Sequence, residues 1–462
     1  MSPSYELLVG IDWATQEHQV CLVTPDGAIA EECVVQHNAQ AIHALLGRLV
    51  QRVGGHPERI AVAIETPRGA LVETMVEWGL HVYSLNPKQA DRFRDRHTVA
   101  GAKDDRRDAY VLGDALRTDQ PKFRRVELDH PLVIQIRELS QVDDDLRDEF
   151  VRLSNRFREQ LYRCASPLLP LSPTLDEPWF WDLVERLIQA PERRLTRSQA
   201  SALLRRHHIR RLDADQVIQV VRQDPVPVAP GAAAAARSHI ALLLPRLRLV
   251  HGQRRQCEKD LRRLLEEYGA EDGQARGSNA PSAVSILLSL PGVGTLVAST
   301  LVGKASRLLA EADHSALRAL TGVAPVTIQS GKRSQRVVMR RACDASLRNA
   351  CYHWSRTSTQ HDDRAREYYA AQRARGHSHG RALRNLADRW LRILMAMMET
   401  RTLYDPDFPS RRVPAAPHAR PLPRHTKILS TCRIVAASSS VSSASSSFSP
   451  GRIPVKTMSM SS

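Results

Sequence analysis

Four aspartates stand close together in residues 101–116, which read GAKDDRRDAYVLGDAL and also hold two arginines and a lysine. On a helix, Asp105 and Asp108 share one face because they are three residues apart, and Asp104 and Asp108, four apart, do the same. Facing carboxylates repel one another, and a bound Mg²⁺ removes that repulsion because it prefers hard oxygen ligands. A solvated helix face would also explain the acids, and spacing alone does not choose between Asp104 and Asp105.

Two further carboxylates follow buried runs in the same region. Asp12 ends the apolar run of "VGID", and Glu65 ends that of "VAIE". The first 120 residues show three strands, helix, strand, helix, strand, helix, an order typical of a ribonuclease-H-like α/β fold. In that fold the first and fourth strands adjoin, and the helix of Asp105 and Asp108 packs across their edge. The sequence thus predicts a site for two metal ions, about 4 Å apart, that serves phosphodiester chemistry.

The composition favours a nucleic-acid partner. The 462 residues hold 66 Lys plus Arg against 50 Asp plus Glu, a net charge of +16, which suits a polyanion. Seven cysteines occur without a CxxC pair, so neither a disulfide framework nor a zinc ribbon is indicated. The N-terminus lacks a signal peptide, and no apolar run reaches the roughly 18 residues of a membrane span. We therefore expect a soluble cytoplasmic protein with no membrane partner.

The chain divides into four predicted parts. Residues 1–125 form the α/β domain, residues 126–275 a helical region, residues 280–403 an α-helical C-terminal domain, and residues 404–462 a disordered, basic, Ser- and Pro-rich tail. Apolar residues of the helical region recur at spacings of three and four, as in a helix pair or coiled coil. These are Leu132, Ile136, Leu139, Val142, Leu146, Phe150, Leu153, Phe157 and Leu161. An intramolecular hairpin and a dimerisation arm both fit this pattern.

Two motifs of the C-terminal region could bind phosphate. "LPGVG", with Gly292 and Gly294, is typical of a helix-hairpin-helix, whose backbone N–H groups can bind a DNA phosphate. Further along, Ser330 precedes a glycine and a basic stretch, so a phosphate could be held beside its hydroxyl. By residue types alone, an exposed loop serine explains this motif better than a nucleophile does. The predicted nucleic-acid contacts of this stretch are Gly331, Lys332, Arg333, Arg336, Arg340 and Arg341.

Taken in order, these motifs resemble the DEDD-type insertion-sequence transposases, whose RuvC-like domain carries "GID", a later Glu and "KTDRIDA". Here "KDDRRDA" has Asp104 in the Thr position and Arg107 in the Ile position. "GVAP" and "SG" after "LPGVG" match the C-terminal domain of that family. The resemblance covers about residues 5–120 and 280–400. It implies Asp12, Glu65, Asp105 and Asp108 as metal ligands, and so favours Asp105 over Asp104.

The resemblance also implies partners and a nucleophile. Ser330 would attack DNA and form a phosphoserine link, assisted by Mg²⁺, for which Mn²⁺ could substitute. Family members are similar to bridge-RNA-guided recombinases, in which a structured guide RNA pairs with donor and target double-stranded DNA. The serine of one protomer would lie beside the carboxylates of another, so a homo-oligomer, a dimer or a tetramer, is expected. Such a protein would be associated with the nucleoid.

Two other functions fit parts of the sequence. A RuvC-like Holliday-junction-resolving endonuclease shares the acidic site but uses metal-activated water and needs no serine. A non-enzymatic helix-hairpin-helix DNA-binding protein would carry the acids as surface charge. A covalent protein–DNA adduct excludes the first alternative, and loss of activity on chelation excludes the second.

Overall fold

Six strands near the N-terminus form one mixed sheet. In the computed structural model they are β1 (Leu7–Asp12), β2 (Glu17–Val23), β3 (Ile29–Gln36), β4 (Ile60–Ile64), β5 (His81–Ser84) and β6 (Arg124–Arg125). The structure describes residues 5–66, 69–97, 104–190, 194–229, 231–275, 280–330 and 334–406. The predicted tail beyond residue 406 therefore lies outside the described residues.

The order of the strands places the ends of β1 and β4 side by side. The sheet runs β3-β2-β1-β4-β5-β6, with β1 antiparallel to β2 and parallel to β4, and β4 parallel to β5. Gly10 pairs with Ala63, and Ile11 pairs with Ile64. The carboxyl ends of β1, β4 and β5 thus share one edge, as a ribonuclease-H-like sheet requires. The predicted adjacency of the first and fourth strands is confirmed.

Both faces of the sheet are covered by helices. These are α1 (Ala39–Arg52), α2 (Ala70–Glu77), α3 (Pro87–His97) and α4 (Asp105–Asp119). Alternate strand residues such as Val9, Ile11 and Val62 pack with apolar residues of α1 and α2. The opposite face of the same strands packs with α3 and α4. Because both faces are buried, the central strands read as continuous apolar runs in the sequence.

Two long helices follow the sheet and pack against each other over much of their length. They are α5 (Pro131–Cys164) and α9 (Ala232–Ala275), with α6 (Pro178–Gln189), α7 (Arg197–Arg206) and α8 (Ala214–Val221) between them. Large side chains of α5 and α6, among them Phe157, Trp179 and Trp181, form a separate apolar core with α9. Packing of α5 against α9 within one chain thus accounts for much of the apolar spacing seen in the sequence.

The described residues after α9 form a further helical core that also includes the ends of α5 and α9. Its helices are α10 (Ala283–Ser289), α11 (Thr295–Ala310), α12 (His314–Leu320), α13 (Ala345–His361), α14 (Asp363–Ala374) and α15 (His379–Thr400). Between α12 and α13 stands an antiparallel hairpin of β7 (Val326–Ser330) and β8 (Ser334–Val338), which the sequence analysis did not predict. Among the described residues, none of the helices is both long enough and apolar enough to span a membrane.

Candidate active site

Three of the predicted carboxylates meet at the end of β1. Asp12, Asp105 and Asp108 each offer an oxygen, and these oxygens all lie within 4.8 Å of one another. Asp12 is the last residue of β1, whereas Asp105 and Asp108 belong to the first turn of α4. Such a set of hard oxygen donors suits Mg²⁺ or Mn²⁺. The residues present therefore fit a divalent cation.

Helix α4 reaches Asp12 because two glycines let its backbone touch β1. A Cβ at Gly10 would overlap the carbonyl oxygen of Ala109 and lie 2.6 Å from the amide nitrogen of Gly113. Asp105, Ala109 and Gly113 follow one another at intervals of four along α4, so they form one row facing the strand. Gly10 and Asp12 likewise point to the same side of β1. The close crossing at Gly10 thus brings Asp105 over Asp12.

Asp104 and Asp105 have different positions at the start of α4. Asp104 is the N-cap, and its side chain accepts a hydrogen bond from the backbone N–H of Arg106, at 3.2 Å. Asp105 is the first residue of the helix and belongs to the carboxylate cluster. An N-cap aspartate satisfies a backbone donor that the helix leaves free. The structure thus separates two residues that spacing alone left equivalent.

Arg94 of α3 holds the buried member of the cluster. Its Nε donates to Oδ1 of Asp108 at 2.6 Å, and its Nη1 donates to Oδ1 of Asp91 at 2.9 Å. The Asp108 side chain is only 6% exposed, so most of its charge is compensated within the protein. Burial opposes the charge of Arg94, but Asp108, Asp91 and Glu65 outweigh it and raise the pKa of the guanidinium. Arg94 therefore remains a cation beside the cluster.

Glu65 stands beside the cluster but is not one of its three members. It directly follows β4, whose last residue Ile64 pairs with Ile11, so the Glu65 backbone adjoins that of Asp12. Its charge contributes to the raised pKa of Arg94. The oxygens within 4.8 Å of one another nevertheless come from Asp12, Asp105 and Asp108 alone, within the part of the chain that the structure describes.

Two features of the site, Arg94 and the glycine contact, were not predicted from the sequence. In "ADRFRDRH" the arginine looks like an exposed helix charge paired with Asp91, and nothing in the spacing points to Asp108, 14 residues on. Gly10 did leave a signal, because a lone glycine in a buried strand indicates a close backbone approach.

The serine motif lies on the β7–β8 hairpin. Ser330 ends β7, and its backbone pairs with that of Ser334 at the start of β8. Gly331, Lys332 and Arg333 lie outside the described residues, as do the side chains of Ser330 and Arg336. Of the other predicted contacts, the Arg340 Nε donates to the Ala324 carbonyl at 3.4 Å, and Arg341 is exposed.

The two glycines of "LPGVG" have different surroundings. Gly292 has φ +83°, and a Cβ there would lie 2.6 Å from the backbone nitrogen of Ser358 in α13. Gly294 is the N-cap of α11, with no heavy atom within 4 Å of the place its Cβ would take. Packing within the protein thus explains the glycine at 292. The open backbone at 294 leaves room for an external group.

Two family models match the chain. A model of DEDD-type IS110 transposases, described as "Transposase", matches residues 9–165. A second model, described as "Transposase IS116/IS110/IS902 family", matches residues 284–370. The first match contains all four predicted metal ligands, and the second contains "LPGVG" and Ser330.

Several curated proteins are similar to the chain. The y4uE protein of Sinorhizobium fredii is 42% identical over 217 residues, which cover 46% of this chain and 60% of that protein. The IS117 mini-circle protein of Streptomyces coelicolor is 28% identical over 87% of this chain and 96% of its own length. The insertion element IS110 43.6 kDa protein of the same organism is 27% identical over the same shares. The names of the first two contain the word transposase. Both transposase domains are present in order, and the chain therefore belongs to the IS110/IS116 family of insertion-sequence transposases.

Proposed function

We propose that this protein cleaves and rejoins DNA strands with the aid of two Mg²⁺ ions, for which Mn²⁺ can substitute. The observation that carries the proposal is the meeting of Asp12, Asp105 and Asp108 at the end of β1, with their oxygens within 4.8 Å. Three acids so close to one another are costly unless a cation joins them. Glu65, on the neighbouring strand, would complete the ligand set of the metal pair.

The carboxylates would bind the metal ions and thereby fix the position of the scissile phosphate. When bound, two divalent ions polarise a phosphoryl group and stabilise the attacking and leaving oxygens. Arg94 keeps Asp108 oriented through its bond to one carboxylate oxygen, which leaves the second oxygen for a metal ion. The close contact of α4 with Gly10 would hold Asp105 over Asp12.

Ser330 is the proposed nucleophile. Its Oγ would attack the phosphorus, lose its proton and form a phosphoserine ester, while the bond from phosphorus to the leaving deoxyribose oxygen breaks. That oxygen takes up a proton and becomes a hydroxyl. The ester keeps the energy of a phosphodiester bond, so the reverse attack can rejoin a strand. Arg340 and Arg341, with the basic residues around Gly331, would hold the phosphate.

We further propose that a structured guide RNA and two DNA duplexes, donor and target, bind the same protein. The net charge of +16 supports a polyanionic partner of this size. The open backbone at Gly294 supports a phosphate contact that is independent of sequence. The reaction would take place in a homo-oligomer, a dimer or a tetramer, in which residues 126–275 join the protomers.

Covalent adducts on denaturing gels test the mechanism. We expect Asp12→Asn, Glu65→Gln, Asp105→Asn and Asp108→Asn each to abolish strand cleavage and adduct formation without loss of DNA binding. Asp104→Asn is the matched control, since asparagine is an equally good N-cap and the residue lies outside the cluster. Cleavage that persists in Asp105→Asn but fails in Asp104→Asn would show that the wrong member of the pair was chosen.

Ser330→Ala should bind DNA and RNA like the parent protein and form no adduct. Ser334→Ala is its control, because Ser334 pairs with Ser330 across the hairpin and lies in the same basic stretch. An adduct in Ser330→Ala would refute the serine mechanism. A parent protein that cuts DNA without an adduct, and is inhibited by chelation, would instead be a junction-resolving nuclease.

A further inference from the structure

Trp13 is an exposed tryptophan directly after the carboxylate that ends β1. Its side chain is 42% exposed, whereas Trp179, Trp181, Trp354 and Trp390 are at most 3% exposed. An exposed indole offers a large, flat apolar surface with which a partner can make contact. The position of Trp13 beside Asp12 indicates which contact that is.

The indole ring of Trp13 rests on a buried histidine. Its ring stacks on that of His18 with centroids 6.3 Å apart and planes inclined by 28°. His18 is 1% exposed, and its Nδ1 accepts a hydrogen bond from the Ala14 backbone N–H at 3.4 Å. The proton of the neutral ring therefore sits on Nε2, which donates to Nδ1 of His37 at 2.8 Å. These bonds fix the histidine, and the histidine supports one face of the indole.

The His18 ring that supports the indole is uncharged at neutral pH. Burial, and then the neighbouring His37, lower the pKa of His18. The contact under Trp13 is therefore stacking between two neutral aromatic rings. His18 supports the indole in this way, and the 42% of Trp13 that is exposed can contact an external flat group.

Trp13 and Asp12 project from neighbouring Cα atoms, about 3.8 Å apart. Asp12 pairs with Gln19, so His18 and the indole stacked on it lie on the other side of the sheet from the carboxylates. A strand of nucleic acid that crosses the edge of the sheet at Asp12 therefore passes both groups. With a phosphate at the carboxylates, the indole would be available to a base of a neighbouring nucleotide of that strand.

We propose that Trp13 is a stacking platform for an unpaired base of the DNA strand, next to the phosphate held at the carboxylates. The inference rests on the proposed function of that site. Base stacking on an aromatic ring tolerates any sequence, because every base has a flat face. Trp13 would keep that base unpaired and the adjacent phosphate aligned with the carboxylates. Sequence recognition would be left to other groups.

The chain contains a matched control for this residue. Trp78 is 38% exposed and also contacts a histidine, His43, with ring centroids 5.7 Å apart. It caps the end of α2, just before β5 begins, and so stands near the amino end of that strand. The carboxylates lie at the carboxyl ends of the parallel strands. Trp78 thus has the same chemistry at the opposite edge of the sheet.

The test is the affinity of the full-length protein for single-stranded DNA that contains 2-aminopurine, measured with Ca²⁺ in place of Mg²⁺, so that the carboxylates hold a cation while strand cleavage is suppressed. We expect Trp13→Ala to bind about tenfold more weakly than the parent protein, and Trp13→Phe to keep most of the affinity. Quenching of the 2-aminopurine fluorescence should be lost in Trp13→Ala and kept in Trp78→Ala. Circular dichroism verifies that each variant is folded.

Equal affinity and equal quenching in Trp13→Ala and Trp78→Ala would refute the inference. A Trp13→Ala protein that binds DNA normally but has a lower molecular mass would assign the indole to a protein interface and refute it as well. Because the assay measures binding and fluorescence while strand cleavage is suppressed, its result does not depend on strand cleavage. A protein that needs Trp13 for binding and never cuts DNA would keep this inference and overturn the proposed function.

Discussion

At the scale of single residues, the sequence indicates the proposed metal ligands better than the groups that orient them. Asp12 and Glu65 follow apolar runs, and Asp105 and Asp108 repeat at helical spacing, so each has a local signal. Arg94 has none, because its bond to Asp108 joins two helices between residues that are 14 positions apart in the sequence. The signal for Asp105 over Asp104 came from the family motif. The structure adds a physical reason for favouring Asp105, because the Asp104 side chain caps α4 by accepting a hydrogen bond from the backbone.

Arg94 should control the affinity of the site for metal. We expect Arg94→Gln to weaken Mn²⁺ binding about 10- to 100-fold, because groups that orient a ligand carboxylate have effects of this size. The Mn²⁺ affinity of Arg94→Lys should lie between those of the parent protein and Arg94→Gln. A lysine keeps the charge but cannot bridge Asp108 and Asp91 as the guanidinium does. Calorimetric titration of the full-length protein measures these affinities.

Arg106→Gln is the control for the charge itself, because Arg106 is exposed on α4 two residues from Asp108. Its Mn²⁺ affinity should stay within about twofold of the parent value, as the screening of exposed charges predicts. Tighter metal binding by Arg94→Gln would contradict the orienting role and show that the guanidinium competes with the metal.

At the scale of elements, the order of strands and helices in the first 120 residues was predictable and the β7–β8 hairpin was not. The sheet has continuous apolar strands because it is buried on both faces. The hairpin has only five residues in each strand, and its second strand is interrupted by Gln335 and Arg336. Short strands with mixed polarity do not differ from loops by periodicity alone.

The contact of α4 with β1 should tolerate no side chain at Gly10. We expect Gly10→Ala to lower the free energy of unfolding by about 3 kcal/mol or more, because the added Cβ meets backbone atoms of Ala109 and Gly113 that cannot rotate away. Metal affinity should fall with it, since α4 carries Asp105 and Asp108. Urea unfolding followed by circular dichroism measures the change in stability.

Gly47→Ala is the control for this substitution. Gly47 lies within α1, and no heavy atom lies within 4 Å of the place its Cβ would take. Alanine should stabilise the protein there by about 0.5–1 kcal/mol, because it has the higher helix propensity. Both substitutions replace glycine by alanine, but they should change the free energy of unfolding in opposite directions. An unchanged urea midpoint in Gly10→Ala would mean that α4 does not contact β1 as described.

At the scale of the whole molecule, the long helices have both an inner and an outer apolar surface. The inner surface joins α5 and α9 within one chain. On α9, however, Leu242 is 72% exposed and Leu249, seven residues on, is 61% exposed. A spacing of seven is that of a coiled-coil contact position. Apolar spacing alone does not separate an inner from an outer surface, because both repeat with the period of a helix.

If these outer leucines join protomers, charges placed on them should separate the oligomer and leave the fold intact. We expect Leu242→Glu with Leu249→Glu to reduce the molecular mass in light scattering to that of a single chain, with an unchanged unfolding temperature. Leu243→Glu is the matched control, because Leu243 is the next residue along α9 and is 2% exposed. It should lower the unfolding temperature instead, since it places a charge in the apolar core. A double variant that keeps its mass would show that the protomers associate through another surface.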